Sequence, residues 1–150
     1  MLKNIDPLLN AELLYALRAM GHGDHLIVCD SNFPGDSVAR HTSYGKLLRL
    51  DGCTAAQASR AILSVMPLDT FIDTAAMRME VVGSPDEIMP VQVEVQQEID
   101  AAEGKSWPLG SIERYAFYEH AKNAYCVIAT GERRFYGCFS FTKGVIGPDQ

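Results

Sequence analysis

The chain has no apolar run approaching the roughly 20 residues that a membrane-crossing helix needs, and no basic segment followed by such a run opens it. The protein is therefore expected to be neither exported nor membrane-spanning. It is also short of clustered positive charge. The formal net charge is −6, and Arg133-Arg134 is the only adjacent basic pair. Nucleic acid and anionic membrane surfaces both require clustered Lys and Arg, so neither is expected as a partner. Cysteine is sparse: Cys29, Cys53, Cys126 and Cys138 lie far apart with no CxxC pairing. Three of the four sit in apolar runs, where a free thiol behaves as a small hydrophobe, and a reducing, cytosolic setting is expected. Internal repeats, low-complexity segments and linkers are all lacking.

What remains is an ordinary globular composition, 47% hydrophobic and 21% charged, far from the corner where chains stay disordered. A chain of 150 residues buries about two-thirds of its unfolded surface and needs no staples, so a single domain over residues 1–150 is expected.

Local patterns alternate between helix and strand. In "NAELLYALRAMG", Asn10 can cap a helix whose apolar stripe is Leu13, Leu14, Leu17 and Met20, with Gly21 as its stop. "HLIVCD" is a short apolar run bounded by polar residues and reads as a buried strand. Ser31 to about Tyr44 shows no period and reads as a long loop, "KLLRLD" as a strand. "TAAQASRAILSVMP" predicts a helix capped by Thr54, with Ala58, Ile62, Val65 and Met66 inward and Pro67 past its end. "AAMRMEVV" alternates as a strand does. "PVQVEVQQEIDAAEG" fits either class, since Val91, Val93 and Val95 alternate while Val91, Val95 and Ile99 suit a helix. Helix after Pro90, ending at Gly104, is favoured. "AFYEHAKNA" reads as a short helix, "YCVIATG" and "YGCFSFTKG" as strands joined by "GERRF". Helices interleaved with strands predict an α/β domain with a layered sheet.

Two pieces of chemistry are weighed and set aside. His22, Asp24, His25 and Asp30 in "MGHGDHLIVCD" are ligand types for zinc or iron. Their spacing spans a turn and a strand start and preorganises no i, i+4 pair, so no metal site is expected. Tyr118 and Lys122 make a YxxxK spacing of the kind short-chain dehydrogenases use. The Gly-rich turn after an opening strand that dinucleotides require is missing, because Gly21 and Gly23 follow a helix. Polar, ring-bearing residues at element ends are left: His22, Asp30, Tyr118 and Tyr136, with Arg114 nearby in sequence. Imidazole transfers protons near pH 7, and phenols donate and accept, so such a group suits proton traffic on hydroxyls. Taken singly, each of these residues fits a solvated loop or a half-buried packing position at least as well.

Several motifs in order then point to one family. "DPLLNAELLYALRAMGHGD", "VCDSNFP", "DG" at Asp51-Gly52, "MPLDTF", "ERYAFYEHAKNA" and "ATGERRFYG" resemble the ribose pyranase and L-fucose mutarotase family of sugar anomerases. "FYEHA" and "TGER" lean toward the fucose branch. The resemblance implies a cofactor-free enzyme that interconverts α and β anomers of a monosaccharide, L-fucose foremost. It further implies a single three-layer α/β/α domain with a mixed central sheet, assembled into a ring-shaped homo-oligomer, a decamer, with sites at subunit interfaces. Residue by residue, it implies His22 as the catalytic histidine, with Tyr118 or Tyr136 as its acid/base partner. Asp30, Arg114 and Asp69 would bind and orient the sugar. Where the family commonly carries Asn two residues after the tyrosine of "YGN", this chain has Cys138, a weaker hydrogen-bonding group that bears on sugar preference. The loop "VARHTSYGK" is longer than in those relatives. A non-catalytic sugar-binding accessory of sugar uptake is the competing reading, and a ring-forming protein without a ligand a third.

Overall fold

In the computed structural model, which describes residues 1–150, a six-stranded mixed sheet lies between two layers of helices. The elements run α1 (Ala11–Ala19), β1 (His25–Cys29), α2 (Gly35–Ala39), β2 (Leu48–Leu50), α3 (Ala55–Leu63), β3 (Ala76–Met79), α4 (Pro90–Glu103), β4 (Leu109–Ile112), α5 (Arg114–Lys122), β5 (Cys126–Thr130) and β6 (Phe139–Thr142). The strand order is β2-β5-β1-β6-β3-β4, with β6 antiparallel to both of its neighbours and the other pairs parallel.

Alternate residues of the central strands feed two cores. Leu26 and Val28 of β1 join Ile128, Phe139 and Phe141 against α1, α3 and α4, while Ile27 and Cys29 join Val127 and Cys138 against α2 and α5. A strand covered on both faces has no polar side to present, which is why "LIVC" is continuously apolar. This is the three-layer arrangement expected. No helix is long and apolar enough to cross a membrane.

The caps read from sequence form. Asn10 accepts from the Leu13 N–H, and Thr54 and Gln57 form a reciprocal capping box on α3. The ambiguous segment after Pro90 is helix, ended by Gly104 in the left-handed conformation, φ 69°. Three elements depart from expectation. The stretch from Ser31 to Tyr44, which has no period and is expected as loop, contains α2, little more than one turn, whose Val38 and Ala39 are buried. Gly35 permits it, because a Cβ there would sit 3.0 Å from the Leu47 side chain. β4 was not anticipated: "LGSI" is an edge strand carrying a glycine and no alternation. Helix α5 begins two residues before "AFYEH", since the Glu113 carboxylate accepts from the Tyr115 and Ala116 N–H groups.

Candidate functional site

The expected site residues fall into two groups at opposite ends of β1. The first surrounds a cavity of about 370 Å³ at the strand's C-terminal end, lined by Asp30, Asn32, Phe33, Met79, Arg114, Tyr118, Phe135, Tyr136 and Cys138. A larger, open recess of about 610 Å³ lies alongside, sharing Asp30 and Phe33 and lined further by Asp36, Ser37, Arg49 and Asp51.

Asp30 follows the last residue of β1 and is 5% exposed. One carboxylate oxygen accepts from the Asn32 N–H (3.0 Å), the other from the Gly137 N–H (3.1 Å) and the Cys138 thiol (3.5 Å). Burial raises its pKa above the ordinary carboxylate value and those three donors oppose the rise. The carboxylate is thus a held acceptor facing the cavity. Burial likewise pushes the Cys138 thiol well up, keeping it a protonated donor.

Arg114 and Tyr118 lie one helical turn apart on α5, and the Arg114 Nε–H donates to the Tyr118 hydroxyl at 3.0 Å. The phenol ring leans on Phe33, with ring centroids 5.5 Å apart. Lys122, in the YxxxK spacing, turns instead to Glu119 at 2.9 Å. Tyr136 arrives from the 131–137 connection with φ 62°, a backbone conformation rare for a non-glycine residue. It is clamped there: the buried Gln92 side chain donates to its carbonyl (3.2 Å) and to that of Met79 (2.9 Å). The Val82 N–H donates to its hydroxyl at 3.2 Å. Behind it, Arg134 pairs bidentately with Glu94 and also binds Glu132, whose carboxyl is pulled down to about 2, first by Arg134. Glu132 in turn accepts from the Ala55 N–H at the start of α3, anchoring the loop to the sheet end. Gly137 passes so close under Asp30 that a Cβ would lie 3.0 Å from Glu132 and 3.3 Å from Asp30.

The second group is His22 and Asp69. The imidazole Nε2 and an Asp69 oxygen are 3.1 Å apart, with Asp69 3% and His22 45% exposed. Asp69 also accepts from the Phe71 N–H at 3.0 Å, and that bond, followed by the histidine, lowers its pKa. Beside an ionised Asp69 the Nε2–H is the donor, so the neutral form of the imidazole presents Nδ1 as an acceptor. Phe71 packs on the ring at 5.4 Å and is itself 72% exposed.

The register separates the groups. His25 pairs with Thr142 and Val28 with Phe139, while the Asp69 N–H donates to the Thr142 carbonyl. The length of β1, roughly 16 Å for five residues, lies between them. Asp69 therefore does not line the cavity that holds Asp30 and instead supports His22. Asp24 closes its own turn by accepting from the Gly21 N–H, and His25 stacks on His120 at 4.1 Å. No three His, Cys, Asp or Glu side chains gather as a metal cage. Asn32, Phe33, Met79, Phe135 and Gln92 were not among the expected site residues. Asn32 and Phe33 sit inside the "VCDSNFP" motif, whereas nothing local marks Gln92, which acts from a helix 44 residues before its partner.

Residues 3–146 match the RbsD / FucU transport protein family. The chain belongs to that family. Over 150 residues it is 41% identical to the fucose mutarotase of Bos taurus, covering 98% of this chain and 95% of that one. The solved structure of protein Atu2016 is 68% identical, with TM-score 0.96 over 98% of this chain and 97% of that one. The fucose mutarotase of Streptococcus pneumoniae, solved in complex with L-fucose, is 34% identical, with TM-score 0.87 over 97% of this chain and all of that one.

Proposed function

We propose that this family member is a cytoplasmic L-fucose mutarotase, interconverting the α and β anomers by opening and reclosing the sugar ring. The observation that carries the reading is the cavity where Asp30, Arg114, Tyr118 and Tyr136 converge, in a chain similar over nearly its whole length to fucose mutarotases. Ring opening takes a proton from the anomeric hydroxyl and adds one to the ring oxygen as the C1–O5 bond breaks. Rotation about C1–C2 and reclosure on the other carbonyl face reverse both transfers. Every group this requires is a proton carrier or a hydrogen-bonding anchor, and the chain supplies both as side chains.

In this scheme His22, with Asp69 on its Nε2, is one proton carrier, and a hydroxyl of Tyr118 or Tyr136 is the other. Asp30 and Arg114 hold sugar hydroxyls. Because His22 stands a strand's length from the cavity of its own chain, it serves the cavity of a neighbouring copy in a ring-shaped homo-oligomer, a decamer. Exposed apolar residues flank both ends, Phe71 (72%) and Ile72 (46%) beside Asp69, Phe135 (69%) and Val82 (55%) around Tyr136, and contact between copies would cover them.

The decisive experiment is saturation transfer NMR between the anomeric protons of L-fucose, with D-ribose and D-galactose alongside. Wild-type protein accelerates exchange of L-fucose above all, and His22→Ala lowers it at least tenfold with folding intact. Thermal stabilisation by sugar without any acceleration would instead identify a non-catalytic sugar-binding accessory. A single chain, with a binding cavity but no histidine beside it, would behave in that way.

A further inference from the structure

The turn that carries His22 is fastened by one residue of β6's extension. Helix α1 ends at Ala19, leaving carbonyls of its last turn without helical partners. The Lys143 ammonium takes two of the carbonyls at this end, donating to Leu17 O at 2.7 Å and Met20 O at 2.6 Å. A cation at a helix C-terminus also meets the favourable end of the helix dipole. The backbone of the same residue grips the far side of the turn. Its N–H donates to the Asp24 carbonyl at 2.8 Å and its carbonyl accepts from the Gly23 N–H at 2.9 Å. His22 is thus bracketed on both sides by bonds to Lys143.

The other partner of the pair is tied to the same stretch. Lys143 bridges Leu68, the residue before Asp69, and the Gly144 N–H donates to the Pro67 carbonyl at 2.9 Å. Gly144 is there because a Cβ would come within 2.5 Å of the Leu68 carbonyl oxygen. Residues 142–144 therefore thread between the His22 turn and the Asp69 segment and set their spacing. The backbone bonds need no particular side chain at 143. The two ammonium bonds do, and they tie the end of α1 to this stretch.

We propose that Lys143 is a positioning residue for the His22–Asp69 pair: its ammonium locks the end of α1 so that the imidazole stays aimed out of the turn, toward the sugar bound by a neighbouring copy. The proposal rests on His22 being the proton carrier of the reaction above. Misplacement of a reacting group by about 1 Å costs on the order of 100-fold in rate. The loss falls on turnover, because the cavity that binds the sugar lies at the other end of β1 and does not touch Lys143.

The test compares Lys143→Met, which keeps the stem and removes the donors, with Lys143→Arg, whose guanidinium reaches both carbonyls. In anomer exchange of L-fucose, Lys143→Met lowers kcat at least tenfold with KM within threefold of wild type, and Lys143→Arg restores kcat to within threefold. In the His22→Ala background Lys143→Met adds less than a twofold further loss, since there is no imidazole left to aim. A crystal structure of Lys143→Met shows the His22–Asp69 contact opened beyond hydrogen-bonding distance. If that variant does not fold, Lys143→Gln, whose amide reaches one carbonyl only, takes its place under the same criteria. An unchanged kcat, or an additive loss in the His22→Ala background, overturns the proposal. If wild type itself accelerates no sugar, the functional reading fails, and the variant's crystal structure alone decides whether Lys143 holds the pair: an intact contact there refutes it.

Discussion

At the scale of single residues, the two tyrosines of the cavity are chemically alike but differently held. The Tyr118 hydroxyl accepts from the Arg114 guanidinium, a charge-assisted bond that fixes the phenol oxygen and leaves its own O–H free to be donated elsewhere. The Tyr136 hydroxyl accepts from a backbone N–H, a neutral donor, and its ring is placed by a backbone in the left-handed region. Donation to the ring oxygen needs a hydroxyl held in place, which favours Tyr118, whose oxygen is fixed by the stronger, charge-assisted donor. Tyr118→Phe is expected to lower L-fucose exchange about 10²–10⁴-fold, the range for loss of a proton-transfer partner. Tyr136→Phe should cost under tenfold, chiefly through KM. Separate kcat and KM values for the two variants check the assignment, and a reversed order would make Tyr136 the acid. The residue types were legible in the sequence, because ring-bearing polar residues at element ends and the ordered motifs pick out His22, Asp30, Arg114, Tyr118 and Tyr136. Their division was not. Asp69 belongs to His22 rather than to Asp30 because β6 runs antiparallel to β1 and brings residues 67–69 to the wrong end for the cavity, a fact of strand pairing that no local pattern encodes.

At the scale of elements, what could be read and what could not follows from length and burial. α1, α3 and α4 each have at least two turns of apolar period and a recognisable start or stop, β1 and β5 are apolar runs too short for helices, and β6 alternates apolar with polar residues. α2 and β4 are too short to establish a period, and tertiary contacts decide them: Val38 and Ala39 against α5's side of the sheet, and "LGSI" through its pairing with β3. The packing of α5 on β1 has a further consequence. His120 stacks on His25 and bonds Ser140 through Nε2 at 2.8 Å, and burial, with His25 second, depresses its pKa to about 4. A histidine that resists protonation when folded but protonates near 6.5 when unfolded stabilises the fold fully above pH 6.5. That contribution is lost as pH falls through about 4. Each pKa unit is worth about 1.4 kcal/mol at most, and partial solvation of the ring reduces the total to about 2 kcal/mol. Glu132, held at about 2, adds a second acid limb that begins only below its ordinary value of 4.5. Urea unfolding at pH 7, 5.5 and 4.5 should show the first limb in wild type and a flattened one in His120→Gln. An equal slope in both proteins would place the proton uptake on another group.

At the scale of the whole molecule, the two groups of candidate residues lie at opposite ends of one strand, His22 with Asp69 before β1 and the Asp30 cavity after it. In the proposed reaction the His22–Asp69 pair, before the first residue of β1, and the Asp30 carboxylate, after its last, meet at one sugar only if a second copy supplies one of them. Heterologous contacts of that kind, one chain's front on the next chain's back, close into rings when the rotation between copies is right. This makes the shared site testable without a structure of the assembly. His22→Ala and whichever tyrosine variant is inactive are each expected to fall at least tenfold on their own. Co-expressed in equal amounts and assembled at random, they leave about one quarter of the interfaces with an intact histidine facing an intact cavity, by the pairing statistics of a heterologous ring. Exchange in the mixture should therefore recover to about a quarter of wild type. A site contained within one chain has no intact copy in any mixture, and its activity would stay at the average of the two parents. Recovery would assign His22 and the cavity to different subunits. Its absence, in variants shown by sedimentation to co-assemble, would overturn the shared site.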